Sequence, residues 1–254
     1  MLSKAVLITG ASRGLGLEIV KQLTKCGKEH GTMKPPLILA TCRNPESATE
    51  LQELGAQSQN NICIKQMDVD NFSTYSHFVN DIKPIVEKIG ISCLINNAGI
   101  SPKSTKYNMV NYEQMATTYK TNAIAPLLFS REILPFLKTA AEQNGDLGSL
   151  IVNMSSILGS VELNNPKSGG GIYPYRSSKT ALNMITRSLS LDLRHMNINV
   201  VAIHPGWVKT DMGGKNAPLT TKQSIAGVLN VIRNFDTEHY NGQLIDYRGN
   251  VLPF

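Results

Sequence analysis

Apolar runs of strand length alternate along this chain with segments of helical periodicity. The runs are residues 4–9, 37–42, 62–67, 92–97, 149–154, 198–204 and 242–247. Helix-period segments lie between them, for example residues 15–26, 71–89, 111–138 and 175–196. Runs that are almost continuously apolar indicate strands buried on both faces of a parallel sheet. The sequence therefore predicts an α/β fold, a doubly wound parallel sheet of about seven strands with helices on both faces.

The length of 254 residues fits one large domain, and a hydrophobic content of 41% supports a core. No apolar run approaches the length of a membrane span, and the N-terminal segment is typical of a strand rather than a signal peptide. The net charge is +6, but the basic residues are scattered singly, which argues against nucleic acid as a partner. The four cysteines show no metal-binding spacing, so we expect no metal, free thiols and a cytoplasmic location.

The first predicted strand is followed by a glycine-rich turn. The segment TGASRGLG places Gly10, Gly14 and Gly16 between this strand and the first helix. Glycines allow the backbone to approach a pyrophosphate closely, and the helix N-terminus offers N–H donors to it. Three glycines alone could form only a turn, but at this point of an α/β chain they predict a nucleotide site in a Rossmann-type sheet.

The end of the second predicted strand helps to identify the nucleotide. NAD binding requires a carboxylate there to accept a hydrogen bond from the ribose 2′-hydroxyl. The strand instead runs into Cys42, Arg43 and Asn44, and Arg13 lies inside the glycine turn. Guanidinium groups bind phosphate bidentately, so the pattern favours NADPH/NADP+ over NADH. The alternative is that both arginines are ordinary surface residues.

A tyrosine and a lysine lie four residues apart at the start of a predicted helix. In GIYPYRSSKTALNMI, Tyr175 and Lys179 share one helical face, whereas Tyr173 lies nearly opposite Lys179. Such pairs also occur on solvated helix faces. The spacing makes Tyr175 the tyrosine that can share a site with the lysine, without establishing chemistry by itself.

Five motifs in order resemble the short-chain dehydrogenase/reductase family over essentially the whole chain. TGASRGLG is similar to its cofactor loop, NNAG (96–99) to the tetrapeptide after the fourth strand, and YRSSK (175–179) to its Tyr-x-x-x-Lys. NMSS (153–156) and HPGWVKTDM (204–212) follow the fifth and sixth strands. More narrowly, TCRNPE, VNMSSILGS, PYRSSKTALN and HPGWVKTDMGG resemble the sniffer-type carbonyl reductases, cytosolic NADPH-dependent members of the family.

The resemblance implies a single domain over 1–254, with a cofactor half in roughly 1–145 and a catalytic and substrate half in roughly 146–254. It places the family's catalytic tetrad on Asn122, Ser156, Tyr175 and Lys179. The gap between Ser156 and Tyr175 is longer than the family usually has, so residues 162–171 resemble an insertion. Ser155 is the alternative, because only one of two successive residues leaving a strand can face the site.

The resemblance also implies the cofactor contacts, which follow the predicted strands or lie on the tyrosine–lysine helix. For the contacts after the third, fourth and sixth strands the alternative is a structural turn residue, and Asn96 is expected only to brace the sheet. The positions are Gly10, Ser12, Arg13, Gly14, Leu15, Gly16, Arg43, Asp68, Val69, Asn97, Ala98, Gly99, Tyr175, Lys179, Pro205, Gly206, Val208 and Thr210.

The implied reaction is the reduction of an aldehyde, ketone or quinone to an alcohol by hydride transfer from NADPH. Such a reaction needs a proton donor for the developing alkoxide, and the resemblance gives that role to Tyr175. A nearby ammonium, that of Lys179, is expected to lower the pKa of the phenol. The resemblance further implies that Ser156 binds the substrate oxygen and that Asn122 holds a water linking Lys179 to solvent.

Other functions fit the sequence less well. A catalytically silent NADP-binding regulatory protein of the same fold would not need all four tetrad residues. A methyltransferase would need an acidic residue at the end of the second strand, where this chain has Arg43. The expected partner is a small-molecule carbonyl compound, bordered by residues 159–174 and 212–221, including the loop 162–171. No membrane partner is expected, and both a monomer and a homodimer are compatible with the sequence.

Overall fold

The structure is a computed structural model that describes residues 1–29, 36–58, 61–103 and 105–254, with residues 26–29 described as backbone alone. The predicted long loop 28–36 falls mostly outside the described residues, as does the side chain of Cys26. Within the described part of the chain, strands and helices alternate as predicted. The strands are β1 (Ala5–Ile8), β2 (Leu37–Cys42), β3 (Ile62–Gln66), β4 (Ile91–Asn96), β5 (Ser149–Met154), β6 (Ile198–His204), β7 (Leu244–Asp246) and β8 (Val251–Leu252).

The helices cover both faces of the sheet. The long helix after β4 is interrupted by a π-helical turn, Lys120–Ile124, between α4 and α5. The helices are α1 (Gly14–Glu29), α2 (Thr49–Gln57), α3 (Tyr75–Val86), α4 (Tyr112–Tyr119), α5 (Ala125–Asn144), α6 (Tyr173–Asp192), α7 (Thr221–Arg233) and α8 (Thr237–Tyr240).

The strands form one sheet in the order β3-β2-β1-β4-β5-β6-β7-β8. Strands β1 to β7 pair in parallel, and β8 returns antiparallel to β7. In this sheet β2 and β3 lie on one side of β1, and β4 to β8 follow on the other side. The switch point between β1 and β4 leaves a crevice at the carboxyl ends of the strands, where ligands bind in sheets of this kind.

The central strands are buried on both faces, which explains their nearly continuous apolar sequences. In β1, Val6 and Ile8 belong to a core cluster shared with α1 and α7. Ala5 and Leu7 belong to a second cluster, shared with α3 and α5. The alternation of side chains along the strand produces these two layers.

The prediction of a doubly wound α/β sheet is confirmed, with two local differences. The short β8 adds an antiparallel eighth strand to the predicted set. The predicted helix 111–138 extends to Asn144 and contains the π-helical turn. Among the described residues, each helix is too short or too polar to cross a bilayer. These residues also bring together no group of three side chains suited to a metal ion.

Candidate active site

The carboxyl ends of the central strands open onto a cavity of about 260 Å³. It lies over the switch point between β1 and β4, the binding position expected for this sheet. Most of the predicted site residues line it: Gly10, Ser12, Arg13, Gly14, Leu15, Arg43, Asp68, Val69, Asn97, Ala98, Gly99, Tyr175, Lys179, Pro205 and Thr210.

The other predicted residues lie outside this lining. Gly206 has a φ of +85°, and a Cβ there would lie 2.4 Å from Leu219 Cδ1. Val208 is buried and forms a β-bridge with the same Leu219. Gly206 and Val208 thus shape the turn after β6. Gly16, Asn122 and Ser156 contact residues of the lining, namely Gly10, Ile100 and Tyr175 respectively.

The cavity also has lining residues that the sequence analysis did not assign as cofactor contacts. Most of them adjoin a predicted residue in the chain, so the positions after each strand could have been extended to include them. They are Cys42, Met67, Asp70, Ile100, Thr121, Met154, Ser155, Asp211 and Met212.

The glycine turn is shaped by close backbone contacts. Gly10 has a φ of +68°, and a Cβ at this residue would lie 3.0 Å from the Cα of Ala98. At Gly16, a Cβ would lie 2.3 Å from the carbonyl oxygen of Gly10, so the first turn of α1 packs directly on the loop. A side chain at either position would push the loop away from β4. Glycine at these two positions therefore allows the loop backbone to pack closely on the carboxyl ends of β1 and β4.

Asn97 holds the glycine turn from the neighbouring strand. Its Nδ2 donates to the carbonyl oxygens of Thr9 and Gly10, at 2.9 and 3.1 Å. The Thr9 hydroxyl accepts in return from the backbone N–H groups of Asn97 and Ala98, both at 3.0 Å. These four bonds join the ends of β1 and β4 at the floor of the cavity. Asn96, expected to be structural, donates instead to Ser130 and Asn153 within the core.

The tyrosine and lysine of α6 meet at the buried end of the cavity. Lys179 is 5% exposed, and its Nζ donates to the carbonyl oxygen of Met154 at 2.8 Å. The same nitrogen lies 5.6 Å from the centroid of the Tyr175 ring. Tyr173, by contrast, is exposed and makes an edge contact with the ring of Tyr107, 6.3 Å between centroids. The structure thus pairs the lysine with the tyrosine that the helical spacing selected.

Burial governs the protonation of this pair. It raises the pKa of Tyr175, and a hydrogen bond with Ser156 lowers it in part. Burial also lowers the pKa of Lys179, to about 8. The expectation that the lysine sets a lowered pKa for Tyr175 is therefore not met in this structure, because removal from water penalises both charged forms.

The two adjacent serines point in different directions. Ser156 forms the hydrogen bond with Tyr175, and its Oγ also accepts from the N–H of Leu158 at 3.1 Å. Ser155 contributes to the cavity wall, but its hydroxyl donates to Asn183 Oδ1 at 2.6 Å, inside the protein. The tyrosine thus has Ser156, not Ser155, as its hydrogen-bonding neighbour, as the alternation of side chains along an extended chain requires.

Asn122 lies in the π-helical turn and is fully buried. Its Oδ1 accepts from the N–H of Ile100, and its Nδ2 donates to the Ile100 carbonyl and to Ser178 Oγ. In a regular helix the Asn122 carbonyl would receive the N–H four residues ahead, but that residue is Pro126, which has none. Such π-helical turns are frequent at functional sites.

Gly99 separates Asn122 from the lysine. A Cβ at this glycine would lie 3.3 Å from Asn122 Oδ1 and 3.7 Å from Lys179 Nζ. The asparagine and lysine side chains therefore approach the same point of the chain from α4–α5 and from α6. The structure brings all four residues of the predicted tetrad to one end of the cavity.

The two predicted phosphate-binding arginines occupy different settings. Arg13 pairs with Asp211, Nη1 to Oδ2 at 3.3 Å, and both side chains are largely exposed. This ion pair joins the glycine turn to the segment after β6 at the cavity rim. Arg43 is exposed after β2 and lines the cavity. A joint clamp of the two guanidiniums on one phosphate, as the sequence suggested, would compete with this ion pair between Arg13 and Asp211.

The loop 162–171 does not border this cavity, contrary to expectation. No residue from 159 to 174 is among those lining it, and of residues 212–221 only Met212 is. The loop is held instead by Arg176, whose Nη2 donates to the carbonyls of Ser168 and Gly169 at 3.3 and 3.1 Å. At its other end, the N–H of Glu162 donates to the carbonyl of Phe254 at 3.1 Å.

Comparison with known proteins identifies the family of this chain and its structural relatives. Residues 4–219 match the model of a protein family described as short chain dehydrogenase. The structure is similar to that of the carbonyl reductase Sniffer of D. melanogaster, with a TM-score of 0.90, 41% identity, and coverage of 98% of this chain and 99% of that chain.

Two further relatives are similar over different lengths. The structure of the NADPH-bound carbonyl reductase from chicken fatty liver has a TM-score of 0.91 and 35% identity, and each chain is covered completely. The C-signal protein of Myxococcus xanthus is 40% identical over 164 residues, which are 65% of this chain and 93% of that protein.

Proposed function

Since this chain belongs to the short-chain dehydrogenase family, we propose that it is an NADPH-dependent carbonyl reductase. It reduces an aldehyde, ketone or quinone to an alcohol by hydride transfer, with Tyr175 as the proton donor. The observation that carries this proposal is the proximity of Tyr175, Lys179 and Ser156 at a cavity that the glycine turn also lines. The named carbonyl reductases among its structural relatives support the substrate class.

The residues of the cavity fit a dinucleotide. The glycine turn leaves backbone and the N-terminus of α1 facing the space where a pyrophosphate would lie. Arg43 lines the cavity after β2, near the position of an adenosine ribose in this architecture, and would bind a 2′-phosphate. Asp68 and Val69 would contact the adenine, and Pro205 and Thr210 would hold the nicotinamide end. When bound, NADPH supplies the hydride.

The chain's own residues supply the proton and the charge stabilisation. The phenol of Tyr175 donates its proton to the carbonyl oxygen as that oxygen becomes an alkoxide. Since burial raises the pKa of Tyr175, the phenol is protonated and ready to donate at neutral pH. Ser156 donates a hydrogen bond to the same substrate oxygen and stabilises the charge where it develops.

Lys179 and Asn122 act behind the tyrosine. The lysine ammonium, 5.6 Å from the Tyr175 ring, stabilises the phenolate that is left after proton donation. Asn122 would hold a water through which Lys179 exchanges protons with solvent. The π-helical turn and Pro126 support this role, because Pro126 cannot donate the hydrogen bond that would occupy the Asn122 carbonyl in a regular helix.

The test follows the oxidation of NADPH, and separately of NADH, in the presence of a panel of aldehydes, ketones and quinones. We expect NADPH consumption with part of the panel and weaker activity with NADH. A Tyr175→Phe variant, run in parallel, should bind NADPH and consume none above background. A wild-type protein that binds NADPH but reduces no carbonyl in the panel would favour the silent regulatory alternative instead.

A further inference from the structure

The inner face of α6 is polar although it is buried. A cluster of Ser178, Lys179, Asn183, Thr186 and Ser190 lies on this face with 5% exposure or less, and α6 packs against β6, α4 and the π-helical turn. Hydrogen bonds rather than apolar contacts therefore fix much of this helix face, and such bonds demand a defined position for each partner. Asn183 lies in this face one turn after Lys179, and the function proposed above does not use it.

Asn183 holds both ends of the segment that carries Ser156. Its Oδ1 accepts from the hydroxyl of Ser155 at 2.6 Å, and its Nδ2 donates to the carbonyl of Gly159 at 3.1 Å. The Gly159 carbonyl can only accept, so it defines which side of the Asn183 amide is nitrogen. The residues between these two anchors form a short 3₁₀ turn, Ile157–Gly159, preceded by Ser156.

The anchored turn lies directly on the catalytic helix. A Cβ at Gly159 would lie 2.7 Å from the backbone carbonyl carbon of Lys179, so the turn touches the α6 backbone. The hydroxyl of Thr180 donates a second hydrogen bond to the Gly159 carbonyl, at 2.9 Å. Helix α6 thus carries Tyr175 and Lys179, and it also binds the turn next to Ser156, the hydrogen-bonding neighbour of Tyr175.

We propose that Asn183 is a positioning residue, which sets the Ser156 hydroxyl against Tyr175 by clamping Ser155 and Gly159 to α6. The inference rests on the reductase function proposed above. Without the amide, the Gly159 carbonyl keeps only the Thr180 side-chain bond from α6, and the Ser155 hydroxyl loses its hydrogen bond to the helix. The Ser156 hydroxyl then shifts relative to the substrate oxygen, and small displacements of this kind are costly in an active site.

Asn183→Leu is the test variant, since leucine is close in size and removes both hydrogen bonds. Thr186→Val is the matched control: Thr186 is equally buried on the same face, but its hydroxyl accepts from Asn153 Nδ2 in β5 at 2.8 Å and bonds neither Ser155 nor Gly159. Each substitution is made in the wild type and in a Ser156→Ala background. Melting temperature, NADPH dissociation constant, kcat and KM are measured for each protein.

We expect Asn183→Leu to lower kcat about 10- to 100-fold in the wild type, with NADPH affinity unchanged. In the Ser156→Ala background the same change should cost less than about threefold, because the group it positions is already gone. Thr186→Val should lower the melting temperature while kcat stays near that of the wild type. Thr180→Val should show a smaller loss of kcat, which also vanishes in the Ser156→Ala background. This variant replaces Asn183→Leu as the test if Asn183→Leu does not fold.

Equal losses of kcat in both backgrounds would overturn the positioning role, as would an equal loss in Thr186→Val. These results are distinct from failure of the proposed function. An inactive wild-type protein overturns the reductase proposal and this inference together, whereas an active wild type with additive losses overturns this inference alone.

Discussion

The Nζ atom of Lys179 lies 5.6 Å from the centroid of the Tyr175 ring, at the closed end of the cavity. The two groups are near enough to interact, yet burial raises the pKa of the phenol and lowers that of the ammonium to about 8. Burial thus penalises the charged form of each group, although a lysine with a pKa of about 8 still carries its proton at neutral pH. A phenolate formed by proton donation must therefore be stabilised at that moment by the adjacent lysine.

Replacing Tyr175 with phenylalanine should abolish turnover and leave NADPH affinity within a few-fold of the wild type, because the phenol acts in the transition state. Steady-state rates with a reducible carbonyl and a fluorescence titration with NADPH measure the two quantities. Tyr173→Phe is the matched control, since Tyr173 is exposed and contacts Tyr107. Retention of more than about a tenth of the wild-type rate in Tyr175→Phe would exclude Tyr175 as the proton donor.

Replacing Lys179 with methionine should raise the melting temperature at neutral pH while abolishing turnover. The substitution removes the cost of burying a charge, a cost expressed in the lowering of the lysine pKa from 10.5 to about 8. Below a pH of about 8 the lysine is charged in both the folded and the unfolded protein. The gain in stability of Lys179→Met over the wild type is therefore largest there.

Between pH of about 8 and 10.5 the folded lysine loses its proton before the unfolded one does. The folded wild type is then relieved of the buried charge, and the advantage of Lys179→Met should shrink as the pH rises. Thermal melts across this range measure the effect, with the exposed Lys209→Met as the control. A variant that is less stable than the wild type at neutral pH would contradict the prediction.

Replacing Arg43 with aspartate should weaken NADPH binding by about 1.5–3 kcal/mol, the scale of a charge-assisted hydrogen bond. NADH should gain relative to NADPH, because the new carboxylate can accept from a ribose 2′-hydroxyl. Arg13→Ala should have a smaller effect on this ratio, since Arg13 pairs with Asp211. The measurement is the dissociation constants of NADPH and NADH for the wild type and for both variants. An unchanged ratio in Arg43→Asp would place the 2′-phosphate elsewhere, with Arg13 as the next candidate.

Replacing Gly170 with alanine should leave KM and the ranking of carbonyl substrates unchanged. Gly170 has open space around it, and its loop does not line the cavity. Gly169 and Gly171 have φ of +67° and +77°, so alanine at those positions should lower stability through backbone strain. Kinetics on a substrate panel and thermal melts separate the two effects. A changed substrate ranking in Gly170→Ala would restore the loop as a wall of the substrate site.

Much of the site could be predicted because its residues sit at fixed points of a repeating pattern. Gly10, Arg43 and Asn97 each follow a buried strand, and parallel strands deliver such residues to one edge of the sheet. The placement of Tyr175 beside Lys179 follows from helical spacing alone. Local geometry was enough in these cases.

Other features depend on tertiary surroundings that spacing does not encode. The direction of the Tyr175 pKa shift depends on how completely the phenol is buried. The loop 162–171 has no periodicity, and its anchor is Arg176 on the outer face of α6. The π-helical turn did have a sequence sign, Pro126 four residues after Asn122, but proline near a helix start is also common in regular helices. The two-residue β8 is too short to produce a pattern.

The cavity draws its walls from residues as far apart in the chain as Gly10 and Met212. During synthesis the glycine turn leaves the ribosome early, yet the wall formed after β6 emerges only when about four-fifths of the chain has been made. A growing chain that has already paired β1 with β2 and β4 still lacks one side of the nucleotide site. The site proposed for NADPH is therefore complete only in the nearly complete chain, and its full stabilising effect on folding comes late in synthesis.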